Sequence, residues 1–264
     1  MKMKLKVLGT RGSFVSVKKE NEIYGRNTSS FYLDAGTRLF LDAGTGILNC
    51  EDLPCEKAIH ILLSHVHIDH VLGLFEWKPL YDPDREIRIY GHRRKGKTIM
   101  EQLDAIIGPP YWPIRLSQFP AKIRFYDLEE GKTLMIDDLA IDGIASIHPD
   151  ETYMYRIENN GRSFGYALDY EAGRDEERKA ERFFRNCDLV IFDGNDLPGQ
   201  EKEGYGHSSW KQGMELCAEA KVRKLLISHY GYDLDDAVLK AEETAVGELS
   251  GTCVFAKEGM EISL

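Results

Sequence analysis

The string Ser64-His65-Val66-His67-Ile68-Asp69-His70 packs four metal-binding side chains into six residues, His65 to His70. Imidazole nitrogens and carboxylate oxygens are the ligands that zinc and similar divalent ions take. The string follows the apolar run Ala58-Ile59-His60-Ile61-Leu62-Leu63, which reads as a buried strand. In an extended segment alternate residues share a face, so His65 and His67 are expected to point the same way. Asp69 and His70 fall where the chain must turn, into the helix that Val71-Leu72-Gly73-Leu74 begins. The pattern predicts two imidazoles aimed at one point, with a carboxylate and a third imidazole aimed at a neighbouring one. A solvated loop is the competing reading, and the buried strand in front of the string argues against it.

Further residues recur in an order that carries a resemblance. Leu41-Asp42-Ala43-Gly44-Thr45-Gly46 precedes the string. Ile147-His148-Pro149, Ala167-Leu168-Asp169, Gly206-His207-Ser208-Ser209 and Ile227-Ser228-His229 follow it. In this the chain resembles the metallo-β-lactamase superfamily over nearly its whole length. The openings Gly9-Thr10-Arg11-Gly12-Ser13 and Tyr24-Gly25-Arg26-Asn27-Thr28-Ser29 look like a bacterial subgroup close to RNase Z and to cyclic-nucleotide phosphodiesterases of this fold. That subgroup has a second glycine where Arg26 stands, and often cysteine where Ser30 stands. Neither departure touches an expected ligand.

The resemblance implies a four-layer αββα sandwich, two mixed β-sheets flanked by helices, with residues 1–264 forming a single domain. It implies a dinuclear centre: His65, His67 and His148 hold one ion, Asp69, His70 and His229 the other, and Asp169 bridges. Zinc is the first expectation, with manganese and iron left open, and a metal-bridging hydroxide would be the nucleophile. Asp69 counts as catalytic as well as ligating. Asp42 and Asp193 are candidates to orient the ligands, or else plain strand-end caps. His207 matches the histidine of a His-Ser-Thr-type string that contacts phosphate and assists the leaving group, with Ser209 in place of threonine. After His229 the family often has His-Asp-Pro; here Tyr230-Gly231-Tyr232-Asp233 leaves the pocket wall open. The expected activity is that of a phosphodiesterase acting on a small phosphodiester or cyclic nucleotide. RNA 3′-end processing of RNase Z type is the alternative, as is hydrolysis of another ester, thioester or lactone. A redox di-iron member would resemble His-x-Glu-x-Asp, whereas His67 stands at the glutamate's place.

The elements that must position these residues alternate without a linker or repeat. Strand patterns run over residues 4–8, 30–33, 38–41, 59–63, 86–90, 122–126, 133–136, 139–147, 189–192 and 224–228. A hairpin over 153–157 and 163–168 turns at Asn159-Asn160-Gly161. Helices are expected over 98–107, 175–185, 208–220 and 235–249. His148, Asp169 and His229 each stand at the exit of a strand, and periodicity alone supports a mixed α/β class.

The chain has 264 residues, 42% hydrophobic and 30% charged, as in ordinary globular proteins. No run of about 18 apolar residues offers a membrane span, and the N-terminus lacks the apolar core of a signal peptide. Five scattered cysteines without a Cys-x-x-Cys read as reduced thiols of a cytoplasmic protein, with a Cys50–Cys55 pair the lesser alternative. A net charge of −10 argues against long nucleic acid, which binds through phosphate neutralisation, though not against a small phosphodiester. The resemblance also allows a homodimer. The basic run His92-Arg93-Arg94-Lys95-Gly96-Lys97 is either a solvated helix entrance or a steering patch, and residues 92–118 could form a lid.

Overall fold

In the computed structural model, which describes residues 3–51, 53, 58–175 and 177–264, fourteen strands and five α-helices alternate. The first half carries β1 (Lys4–Gly9), β2 (Ser30–Asp34), β3 (Arg38–Leu41), β4 (Ile59–Leu62), α1 (Ile68–Val71), β5 (Glu86–His92), α2 (Ile99–Asp104) and β6 (Lys122–Leu128). The second carries β7 (Leu134–Ile136), β8 (Leu139–Ala145), β9 (Tyr153–Asn159), β10 (Arg162–Ala167), α3 (Lys179–Phe183), β11 (Leu189–Asp193), α4 (Trp210–Ala220), β12 (Leu225–Ser228), α5 (Asp236–Leu249), β13 (Cys253–Phe255) and β14 (Glu261–Ser263). Two seven-stranded sheets result, ordered β14-β1-β2-β3-β4-β5-β6 and β13-β12-β11-β10-β9-β8-β7. Both are mixed: β3 to β6 run parallel, as do β10 to β13, while the remaining pairs are antiparallel.

Side-chain alternation builds the layers. Leu62, Leu39, Leu41 and Phe31 point from the first sheet into the space between sheets, where Ile157, Phe164, Tyr166, Ile191 and Leu226 of the second meet them. Their neighbours Ile59, Ile61 and Leu63 point outward against Leu74, Trp77 and Leu103. Val190, Phe192, Leu225 and Ile227 point outward beneath α4 and α5, against Leu216, Leu239 and Val246. The central strands β4, β11 and β12 are buried on both faces, which is why they read as unbroken apolar runs. This is the αββα sandwich that the resemblance implies.

The expected elements differ from the observed ones mainly at their ends. β4 stops at Leu62, one residue before the expected end, and the histidine string follows it. α3 is shorter than the helix expected over 175–185. The Asp175 carboxylate accepts from the Ala180 amide at 3.0 Å, and the residue before the helix, Arg178, is left-handed at φ 53°. α2 starts where Thr98-x-x-Glu101 forms a capping box, with Thr98 Oγ1 accepting from the Glu101 amide. The hairpin turns through Asn160 and Gly161, both at positive φ as a two-residue primed turn requires. Within residues 92–118, Ile99, Leu103, Ile107 and Leu116 pack into the outer core of the first sheet, and Trp112 meets Phe75 edge-on. That segment covers a sheet face and is not a protruding arm. Cys187, Cys217 and Cys253 are not bridged. Cys55, and with it a Cys50–Cys55 pair, lies outside the described residues.

Candidate metal centre

Parallel order places the exits of β10, β11 and β12 on one edge, and β8, antiparallel to β9 as β10 is, ends there too. His148, Asp169, Asp193 and His229 stand at those exits. From the other sheet the loop after β4 delivers His65, His67, Asp69 and His70. It is tied down by Tyr155 Oη donating to the Leu63 carbonyl at 2.7 Å, the Tyr153 amide donating to Ser64 O at 3.1 Å and the Ala43 amide donating to His70 O at 2.7 Å.

The seven side chains expected as ligands converge. Ring centroids of His65 lie 4.3 Å from His67, 4.3 Å from His70 and 5.3 Å from His148. His70 and His229 are 5.1 Å apart. Asp169 sits among them, with Oδ2 3.0 Å from His70 Nε2 and Oδ1 3.2 Å from His148 Nε2 and 3.3 Å from His229 Nε2. Asp69 Oδ2 is 3.2 Å from His70 Nε2 and 3.8 Å from His229 Nε2. Ligand atoms of His65, His67 and His148 lie within 4.8 Å of one another, and so do those of Asp69, His70 and His229. They coincide with the two triads that the resemblance implies, and the ligand atoms of His65, His70 and Asp169 and those of Asp169, Asp193, His207 and His229 lie as close together.

Whether such donors suit a cation turns on where the imidazole lone pairs point. Four of the rings expected as ligands turn Nδ1 outward. His70 Nδ1 donates to Asp42 Oδ2 at 2.7 Å and His148 Nδ1 to the Pro149 carbonyl at 2.8 Å. Ser64 Oγ donates to Asp42 and Ser29 Oγ to the Arg11 carbonyl, so these hydroxyls accept from His65 Nδ1 (3.1 Å) and His229 Nδ1 (2.9 Å). Each Nδ1 thereby holds its hydrogen and each Nε2 faces the centre. Nε2 of His65 and His229 are buried without a hydrogen-bond partner. Buried polar atoms are seldom left so, and a group of orphaned lone pairs around one point fits a divalent cation.

Charge is balanced within the cluster. Burial drives His65 well below its ordinary pKa, helped by His70, and burial with His148 drives His67 down to about 4. For His70 burial acts in the same direction, but Asp69, Asp169 and Asp42 outweigh it and hold the ring protonated. Burial would raise the carboxyl pKa of Asp69 and Asp169, yet the surrounding imidazoles push both well below the usual range. Asp42, Asp169 and His229 all take left-handed backbone, at φ 55°, 54° and 63°. Such conformations persist where surrounding structure over-determines them, often at functional sites.

Asp42 is the anchor behind the string. It accepts from the Ser64 amide (2.7 Å), Ser64 Oγ (2.8 Å), His70 Nδ1 (2.7 Å) and Tyr166 Oη (2.7 Å), and it is fully buried. Asp42→Ala leaves those four donors without an acceptor. Breaking a buried charged network costs about 3–5 kcal/mol, so the urea midpoint of the variant is expected to fall accordingly. A loss under about 1 kcal/mol would mean that water replaces the carboxylate without cost.

His207 stands beside the cluster, its ring 5.5 Å from those of His148 and His229. Its Nδ1 donates to Asp193 Oδ2 at 3.0 Å. Burial is the largest single effect and would lower its pKa, but Asp193, joined by Asp169 and Asp196, outweighs it and raises the pKa to about 9. Asp193 also accepts from the amides of Asp169 (3.0 Å), Asn195 (3.0 Å) and Ser208 (3.1 Å), so it is more than a strand-end cap. His60 and His92 lie apart. His60 stacks on Tyr90 between the sheets and His92 on Tyr153, and burial lowers them to about 4 and about 3.

Several contributors escape a reading of local motifs. Ser13 donates its amide to Asp69 Oδ2 at 2.8 Å. A Cβ on Gly12 would fall 2.5 Å from His229 Cδ2, so only glycine fits there. Arg11, fully buried, donates to the carbonyls of Gly25 and Leu234 and holds this loop against the His229 turn. The glycine-rich opening was a signal of family only; its contacts lie far along the chain. Arg94 and Lys95 of the basic run pair with Asp150, in the loop after His148.

A β-lactamase superfamily domain model matches residues 37–230. The ribonuclease Z of Archaeoglobus fulgidus is 23% identical over 323 aligned positions, covering 100% of this chain and 98% of the relative. The crystal structure of the metallo-β-lactamase fold protein YhfI from Bacillus subtilis superposes with a TM-score of 0.77 at 21% identity, covering 100% of this chain and 99% of that one. A diphosphatase of the PhnP family superposes at 0.73 with 18% identity, covering 99% and 98%. No helix among the described residues is long and apolar enough to cross a membrane.

Proposed function

The chain belongs to the β-lactamase superfamily, and on that premise we propose that it is a divalent-metal hydrolase that cleaves a small phosphodiester. His65, His67 and His148 would hold one cation, Asp69, His70 and His229 a second, with Asp169 shared between them. Two bound divalent cations supply Lewis acidity, polarising a phosphoryl oxygen and making water a competent nucleophile at neutral pH. The chain's own residues do the rest. Asp42, Ser64 and Ser29 orient the rings, and the Ser13 amide orients Asp69.

The observation that carries phosphate chemistry is His207. Its ring is hydrogen-bonded to a buried carboxylate that, with neighbouring carboxylates, raises its pKa, and it is set beside the donor cluster. Water adds to phosphorus and gives up a proton to solvent, the bond to the leaving oxygen breaks, that oxygen takes the Nε2 proton of His207 and departs as an alcohol, and the imidazole regains a proton from solvent. Such donors contribute about 10²–10⁴-fold. The names of two similar proteins, a ribonuclease and a diphosphatase, support phosphorus–oxygen cleavage over lactam or thioester chemistry. Zinc or manganese added to purified protein, with bis(4-nitrophenyl) phosphate, a cyclic nucleotide, a thioester and a β-lactam assayed side by side, tests the reading. Turnover confined to the phosphodiesters is expected; preference for the thioester or lactam sinks it. RNA 3′-end processing, suggested by the full-length likeness to ribonuclease Z, would appear as specific cleavage of precursor tRNA. The covering role of residues 92–118 and the net charge of −10 speak against it.

Loading the centre is expected to expel a proton. The metal-free protein keeps His70 charged among three carboxylates, whereas a ligand imidazole must be neutral. Calorimetric titration of metal into the protein at pH 7, in buffers of different ionisation enthalpy, should register about one proton released. A buffer-independent heat would remove His70 from the ligand set.

A further inference from the structure

Glu171 has no place in the donor cluster, yet it lies two residues beyond Asp169 and is 6% exposed. Its Oε1 accepts from the Gly204 amide at 2.8 Å and its Oε2 from the Gly206 amide at 2.9 Å. Both glycines sit at φ +83°, a conformation that side chains rarely adopt. A Cβ on Gly206 would come 2.3 Å from His148 Cδ2, so the loop runs directly against that ring. The Glu171 amide donates to the Ile147 carbonyl at 2.9 Å, one residue before His148. Ser208 ties the same segments again: its Oγ donates to the Tyr170 carbonyl at 2.6 Å and accepts from the Ala172 amide at 3.0 Å.

We infer that Glu171 is the positioning residue for His207: by binding the amides of the glycine loop with both carboxylate oxygens it fixes the loop that presents the imidazole. The geometry is specific to a carboxylate with two free acceptors. Glutamine offers one acceptor and turns an NH₂ toward the other amide. Asp193 and Ser208 tie the loop at His207 and after it, whereas Glu171 binds the two glycine amides that lead into it, and displacement of about 1 Å at a reacting group costs roughly 100-fold in rate. The kinetic part of this inference rests on the phosphodiesterase reading; the loop-ordering part does not.

The test compares Glu171→Gln, Glu171→Ala and Glu171→Asp with His207→Ala and with the Glu171→Ala/His207→Ala pair. Hydrogen–deuterium exchange of the metal-loaded protein should quicken at residues 204–208 in the alanine variant while the strands keep their protection. Turnover of aryl phosphodiesters of graded leaving-group pKa should fall about 100-fold for the poorest leaving group and little for 4-nitrophenolate. The double variant should be no slower than His207→Ala alone, and Glu171→Asp should restore part of the rate. Unchanged exchange, or loss of rate independent of the leaving group and additive with His207→Ala, overturns the inference. Should the wild type cleave no phosphodiester, the functional reading fails and the exchange result alone decides whether Glu171 orders the loop.

Discussion

Replacing His67 with alanine should leave the fold standing, lower the bound metal and cut turnover roughly 10³-fold or more, equivalent to about 4 kcal/mol of transition-state stabilisation. Among the expected ligands His67 makes the cleanest test because its structural role is small. It is half-buried, occupies the residue before α1 at φ −62° and ψ 151°, and makes no side-chain capping bond there. Alanine takes that backbone conformation as easily, so stability should change by no more than about 1 kcal/mol. His65, His70 and His229 are buried and bonded to Ser64, Asp42 and Ser29, so their removal mixes loss of the donor with loss of packing. Burial and His148 hold the His67 ring neutral at pH 7, so its lone pair is available without deprotonation. The measurements are metal content by elemental analysis, turnover of bis(4-nitrophenyl) phosphate and the thermal midpoint. Full turnover with unchanged metal content would remove His67, and with it the His65/His67/His148 triad, from the centre.

The same contrast between local and distant contacts explains what could be read in the sequence. The string from His65 to His70 was legible because its donors are neighbours and the strand before it, β4, is an apolar run. His148, Asp169 and His229 were legible only through family order, since each is one polar residue at a strand exit, a place where such residues commonly serve turns. That they converge is a property of the parallel pairing of β10, β11 and β12, which no local pattern states. The supporting residues were hidden for the same reason. Ser13 reaches Asp69 across 56 residues, Tyr166 reaches Asp42 across 124 and Arg11 reaches Leu234 across 223. The three-residue edge strands β13 and β14 are too short to show a period. The left-handed backbone of Asp42, Asp169 and His229 has no glycine to announce it. It bends the chain sharply just after a strand, which is how a carboxylate or imidazole is turned back across the sheet edge.

His207→Ala, by contrast, should keep the metal and lose rate in proportion to how badly the leaving group needs a proton. With 4-nitrophenolate, which departs unaided, the change should be small; with an alkoxide from a nucleoside it should reach roughly 10²–10⁴-fold. Among the described residues the ring bonds, through Nδ1, to Asp193, which explains why its removal spares the donor cluster: Asp193 keeps its bonds to the Asp169, Asn195 and Ser208 amides. The pH profile gives an independent check, and its sign follows from the direction of the shift. Burial would lower the imidazole, but Asp193, with Asp169 and Asp196, overcomes it and raises the imidazole from 6.5 to about 9. The proton is therefore held through neutral pH and lost as pH rises through that value. Cations bound in the adjacent centre repel the imidazolium, so in the loaded protein the descending limb should fall between the ordinary value and about 9. For a poor leaving group the wild type should show this limb and His207→Ala should not. For 4-nitrophenolate neither should show it. Asp193→Asn removes the charge that raises the imidazole and should move the limb to lower pH. Equal loss of metal from the His67 and His207 variants, or a limb that persists in His207→Ala, would show that His207 belongs to the ligand set and that some other group protonates the leaving oxygen.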